Sequence, residues 1–192
     1  EQHGPNGIMG TDSICAEVIA EGVGQSIDAL ITPTIYCGVA QFNLDFAGTL
    51  TVRPTTLIAL IKDTILSLAH HGFERFYFLN GHGGNVAPVA GVMEQWRTRL
   101  YASWTDAGRL GFPNIQEHLG YVDALESSAG RELDVRFHSY WDLISDDVRA
   151  ETMVSKAFPG HAGEFETSVA MHAFPQDVRT DSMDASGDPS LA

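Results

Sequence analysis

The chain has 192 residues, 44% of them hydrophobic, which suits one domain with a sizeable buried core. Its formal charge of -14 and the lack of any Lys/Arg run exclude a phosphate-binding surface, so no nucleic-acid partner is expected. No apolar run approaches membrane-spanning length and no leader pattern opens the chain, so no membrane partner and a cytoplasmic location are expected. Cys15 and Cys37 form no CxxC pair and read as buried thiols in a reducing compartment.

In chain order, the first polar stretch is Glu1-Gln2-His3-Gly4-Pro5, followed by Thr11-Asp12. Asp12-Ser13 reads as a helix start, with Thr11 or Asp12 able to cap free N–H groups. That helix should carry Ile14, Val18 and Ile19 inward and stop around Gly22–Gly24. Residues 27–36 then read as a mostly buried strand, and 38–49 as a loop. From Pro54 to Ala69 the spacing of Leu57, Leu60, Ile61, Ile65 and Leu68 is helical, with Pro54 early and Gly72 beyond the end.

Residues 73–79 form the next strand, and Asn80–Asn85 the glycine-rich turn at its carboxyl end. A helix over 86–103 follows; 106–131 is rich in Gly, Asp, Glu and Ser and gives no clear element. Residues 133–141 read as a strand, 142–152 as a short acidic helix, His161–Phe174 as the last helix, and the tail from Pro175 as loop or extended. This alternation predicts an α/β fold: a single domain over 1–192, with a largely parallel central sheet and helices on both faces. Ligands in such sheets gather beyond the strands' carboxyl ends, where the Asn80–Asn85 turn lies.

Two residues apart in an extended segment, Glu1 and His3 share a face. Asp12 at a helix start is favoured by free N–H groups. Glycines 81, 83 and 84 would let the turn around His82 take positive φ and approach a ligand closely. On a helix from His161, Glu164 shares a face with that histidine and Glu166 does not, so the spacing selects Glu164. The candidate metal ligands are therefore Glu1, His3, Asp12, His82 and Glu164. Three carboxylates and two neutral imidazoles suit Zn²⁺, Mn²⁺ or Fe²⁺. Their three negative charges exceed what one divalent ion balances, so two divalent ions are expected, with Asp12 as the bridge. Each fragment alone has a plainer explanation: a polar terminus, a helix cap, a hydrogen-bonding turn, a solvated helix face. Their shared position at strand ends and helix starts argues for a metal-dependent hydrolase. His70, His71, His118, His138 and His172 read as surface or supporting residues.

These motifs, with Phe46-Ala47-Gly48-Thr49 and His161-Ala162-Gly163-Glu164-Phe165-Glu166-Thr167-Ser168, resemble the creatininase family over nearly the whole chain. The resemblance implies a dinuclear metal hydrolase of non-peptide C–N bonds, an amidohydrolase in which a hydroxide between the ions attacks the carbonyl. By that resemblance Glu1, Asp12 and His82 hold one ion and His3, Asp12 and Glu164 the other. His161 is then the catalytic acid/base, the partner a small-molecule amide, and the assembly a homo-oligomer such as a hexamer. Creatininase proper has a glutamate within the motif that here reads His82-Gly83-Gly84, which argues against creatinine and for another small cyclic amide or a formamide. Alternatives are a metallopeptidase trimming a peptide, or a non-catalytic binding or assembly subunit. Family members usually extend beyond both ends of this chain, so it reads as truncated at both.

Overall fold

A computed structural model describes residues 1–90, 133–155, 158 and 160–183. The chain forms two compact units, one of Glu1–Val52, Leu79–Gly84 and His138–Ala192, the other of Arg53–Phe78 and Asn85–Phe137.

In the first unit, α1 spans Thr11–Ile27 and α4 spans Glu164–Ala173. The two helices pack on each other. The inward face of α1 is Thr11, Asp12, Cys15 and Ala16, one stripe of mostly small side chains, whereas Ile14, Val18 and Ile19 are only half-buried. Small residues there allow close approach to α4, where Glu166 and Ala170 are buried. The start of α1 is as expected, but neither Thr11 nor Asp12 caps it. Gly10 is the N-cap, at φ 82°, and the Thr11 hydroxyl donates back to the Ile8 carbonyl at 2.7 Å. The helix also runs through Gly22 and Gly24 to Ile27 before Asp28 turns left-handed at φ 54°. Gly24 is a packing position: a Cβ there would lie 2.6 Å from Ile31 Cδ1.

The expected strand at 27–36 is absent. Pro33 has no N–H to give a ladder, and Leu30, Ile31 and Tyr36 are exposed. Cys15 is fully buried, but Cys37 is exposed, contrary to expectation. A short α3, Asp146–Thr152, begins at the Ser145 cap, whose hydroxyl accepts from Val148 N–H; the rest of the expected 142–152 helix is a 3-10 turn at Tyr140–Leu143. The last helix starts three residues later than the sequence suggests, after Gly163.

The second unit contains α2, Pro54–His70, with Pro54 in its first turn. Leu57, Ile61, Ile65, Leu66 and Ala69 are buried along it, while Leu60 faces outward. Strands β1, Arg75–Asn80, and β2, Asp134–Ser139, are hydrogen-bonded neighbours. Asp134 N–H donates to Glu74 C=O at 2.8 Å at their beginnings, and the Asn80 amide donates to Ser139 Oγ at 3.0 Å at their ends. Beginnings meet beginnings, so the strands are parallel and the fold is α/β. A helix opens at Val86; the remainder of the expected 86–103 element, and the whole of 106–131, lie outside the described residues. No described helix is long and apolar enough to cross a membrane.

The fully buried Ile65 anchors the inward stripe of α2. Ile65→Ala should cost about 2–5 kcal/mol in denaturant unfolding, and Leu60→Ala under about 0.5 kcal/mol. Equal costs would contradict the assigned face.

Candidate metal centre

All the candidate residues lie in the first unit, so their mutual geometry is set within one compact body. Asp12, in the first turn of α1, is buried between two imidazoles. Its Oδ1 lies 3.0 Å from His3 Nε2 and its Oδ2 2.8 Å from His82 Nδ1. His82 Nδ1 is also 2.8 Å from Glu1 Oε1, and His161 Nδ1 is 3.4 Å from that same oxygen. The rings of His3 and His161 lie 4.6 Å apart.

Each imidazole is held by its other nitrogen. His82 Nε2–H donates to the Val39 carbonyl at 3.0 Å, His3 Nδ1–H to Glu1 C=O at 3.2 Å, and His161 Nε2–H to Gln2 C=O at 3.0 Å. A carbonyl oxygen only accepts, so these contacts fix the tautomers. The neutral rings then aim lone pairs at carboxylate oxygens. Lone pair against lone pair at 2.8 Å repels unless a proton or a cation lies between. A backbone-anchored imidazole presenting its free nitrogen beside carboxylates is what a divalent ion requires of its ligands.

The turn after β1 carries His82. Asn80 fixes it by donating to His82 C=O at 2.9 Å and accepting from His82 N–H at 3.3 Å. Among the glycines of this turn, none has positive φ. Two serve close approach instead. A Cβ on Gly81 would lie 2.1 Å from Asp12 O, and one on Gly84 2.0 Å from Val39 O and 2.5 Å from His82 Nε2. Gly83 has open space beside it.

The structure brings Glu1, His3, Asp12, His82 and His161 together, and leaves Glu164 out. Glu164 is half-buried, and its carboxylate accepts from the N–H groups of Val154, at 2.9 Å, and Ser155. Glu166 takes the expected place: it is 4% exposed, with Oε2 3.7 Å from His3 Nε2. The helical argument fails because 161–163 is not helical. Ala162 sits at φ 51° and Gly163 is extended, so His161 and Glu164 share no helix face. Glu166 is the third residue of α4 and reaches back to accept from Ala162 N–H at 2.7 Å. A glutamate three positions after a glycine cap is the sequence signal that could have found it. Among the described residues, groups with ligand atoms within 4.8 Å of one another are Glu1/Asp12/His82, His3/Asp12/Glu166 and Glu1/His3/His161. The first two share Asp12, one oxygen to each side. The described remaining histidines, His70, His71, His138 and His172, are exposed; His118 lies outside the described residues.

Protonation follows the same geometry. Burial pulls the His82 imidazole down, but Asp12 and Glu1 outweigh it and hold it up at about 10. Burial opposes ionisation of Asp12, yet its contacts with His3 and His82 keep the carboxyl well below the usual range. Burial pushes Glu166 up to about 7 against the pull of His3. Burial, helped by the charge of His3, lowers His161. The carboxylates therefore draw positive charge onto His82, while His161 is pushed towards its neutral form.

A sequence model of the creatininase family, described as creatinine amidohydrolase, matches residues 1–192. The chain is 27% identical over 191 residues to a creatinine amidohydrolase of Pseudomonas putida, covering 94% of this chain and 64% of that one. It is 27% identical over 202 residues to a mycofactocin precursor peptide peptidase of Mycobacterium ulcerans, covering 100% of this chain and 62% of that one. The chain thus spans less than two thirds of the length of either relative. A solved mutant creatininase of Zn-Zn type superposes with TM-score 0.71 at 25% identity, covering 100% of this chain and 73% of that one.

Two outcomes follow from this geometry. Glu166→Gln should lower bound divalent metal measured by elemental analysis, and Glu164→Gln should leave it unchanged; the reverse result would reinstate Glu164. In metal-free protein the His82 proton is held to about pH 10 when folded but is released near 6.5 when unfolded. Its contribution to stability is whole below pH 6.5 and is lost as pH rises through 10. Melting followed from pH 6.5 to 10 should show this decline, and saturating Zn²⁺ should flatten it. A metal-free profile that rises over this window would contradict the account.

Proposed function

The chain belongs to the creatininase family, and from that premise and the geometry above we propose that it is a dinuclear metal-dependent amidohydrolase. The observation that carries this reading is Asp12, with one oxygen facing each of two backbone-anchored imidazoles. Glu1, Asp12 and His82 would hold one ion; His3, Asp12 and Glu166 the other. Bound there, two divalent ions supply a water acidified to near-neutral pH and positive charge for a developing oxyanion.

The chain's own residues supply the rest. Three carboxylates offset the cations, and the carbonyls of Glu1 and Val39 hold two ring nitrogens so that the opposite nitrogens stay free to ligate. His161 is half-buried and anchored through Nε2 to Gln2 C=O. Its lowered pKa keeps Nδ1 free at neutral pH. Nδ1 can take a proton from the attacking water and return it to the departing nitrogen. The reaction this serves is hydrolysis of a C–N bond in a small cyclic amide or formamide. Structural neighbours include a creatininase of Zn-Zn type and a manganese one, and zinc, manganese and iron all suit the donor set.

The similarity over the full chain to a peptide peptidase favours a second reading, in which the same centre cleaves a peptide bond of a dedicated partner. A screen of cyclic amides, formamides and short peptides with the metal-loaded chain separates the two, and no hydrolysis of any class would contradict both. His161→Asn should keep the metal content but lower kcat about 100- to 10,000-fold. Unchanged kcat would remove His161 from the chemistry.

A further inference from the structure

One short stretch of chain makes three contacts with the Glu1/His82 side of the centre. Val39 C=O accepts from His82 Nε2, the Phe42 ring lies stacked on His82 with centroids 6.0 Å apart, and the Asn43 amide donates to Glu1 Oε2. Asn43 is buried, 7% exposed, at the end of the 3-10 turn Gln41–Asn43. That turn is pinned by Asn43 N–H to Ala40 C=O at 3.1 Å and by Ala40 N–H to Thr51 Oγ1 at 2.9 Å. Glu1 lies in an irregular segment ahead of α1.

We infer that Asn43 is a positioning residue for one of the two ions, locking the Glu1 carboxylate through Oε2 so that Oε1 faces His82. The inference rests on the dinuclear reading and deepens it. An amide suits the task because it donates without bringing a charge. A lysine in its place would compete with the cation, and an aspartate would repel Glu1. With Oε2 occupied, Glu1 retains one oxygen for the ion, and the rotamer freedom of a glutamate is already spent before binding. The Asn43 amide bonds to Glu1, so its effect falls on the ion held by Glu1, Asp12 and His82 more than on the ion held by His3, Asp12 and Glu166.

The test is calorimetric titration of the metal-free full chain with Zn²⁺, comparing wild type with Asn43→Leu, which keeps the branched shape but loses the donor, and with Asn43→Ala. The expected result is two binding steps in the wild type, with one weakened about 10- to 100-fold in both variants and the other changed less than about twofold. Both steps unchanged, or both weakened alike, would overturn the inference while leaving the dinuclear centre standing. Fewer than two ions bound to wild type would overturn the dinuclear reading, and this inference with it. Failure of both variants to fold, seen as a lost thermal transition, would assign Asn43 to the core and also overturn it.

Discussion

Asp12 is a buried carboxylate whose two oxygens each meet an imidazole nitrogen, at 3.0 and 2.8 Å. Burying that charge is costly unless opposite charge reaches it, and both imidazoles have already committed their other N–H to backbone carbonyls. A proton or a metal cation must therefore sit on each side of Asp12. Much of the first unit is arranged around this demand. Gly10 turns the chain into α1 so that Asp12 falls in its first turn, and Gly81 lets the His82 turn press against the Asp12 backbone. The small inward stripe of α1 lets α4 bring Glu166 close, with Cys15 Sγ 3.8 Å from the Glu166 carbonyl.

The division of labour is asymmetric. On one side stand Glu1 and His82, braced by Val39 and Asn43 from an irregular segment. On the other stand His3 and Glu166, the latter set in a helix and tied to Ala162 N–H. His161 lies between Gln2 and Glu1, with Nδ1 facing Glu1 and Nε2 held by Gln2 C=O, so it can exchange a proton at one nitrogen without losing its anchor. The strained Ala162, at φ 51°, joins that histidine to the helix carrying Glu166. Both side chains lie near His3, the His161 ring with its centroid 4.6 Å away and Glu166 Oε2 3.7 Å from Nε2.

Much of this was legible in the sequence because it is written in side chains. Glu1, His3, Asp12, His82 and His161 could be named from motif and spacing, and α2 from its apolar period. What was illegible depended on backbone. The helix of Glu164 and Glu166 begins after Gly163 and not at His161, and that three-residue shift moved the buried carboxylate from one glutamate to the other. The carbonyls of Val39 and Gln2 have no letter of their own, so the anchors of His82 and His161 were invisible. The glycines at 81 and 84 were noticed for the right turn, but their use is close approach alone, without positive φ. The apolar run at 27–36 looked like a strand, yet α1 consumes its start and Pro33 interrupts the rest.

The central claim is that Asp12 bridges two cations. The most direct measurement is anomalous diffraction from crystals of the full chain grown with Mn²⁺. The account predicts two anomalous peaks, one on each side of Asp12, the first against Glu1 and His82 and the second against His3 and Glu166. A single peak, or Asp12 turned away from both positions, would contradict it.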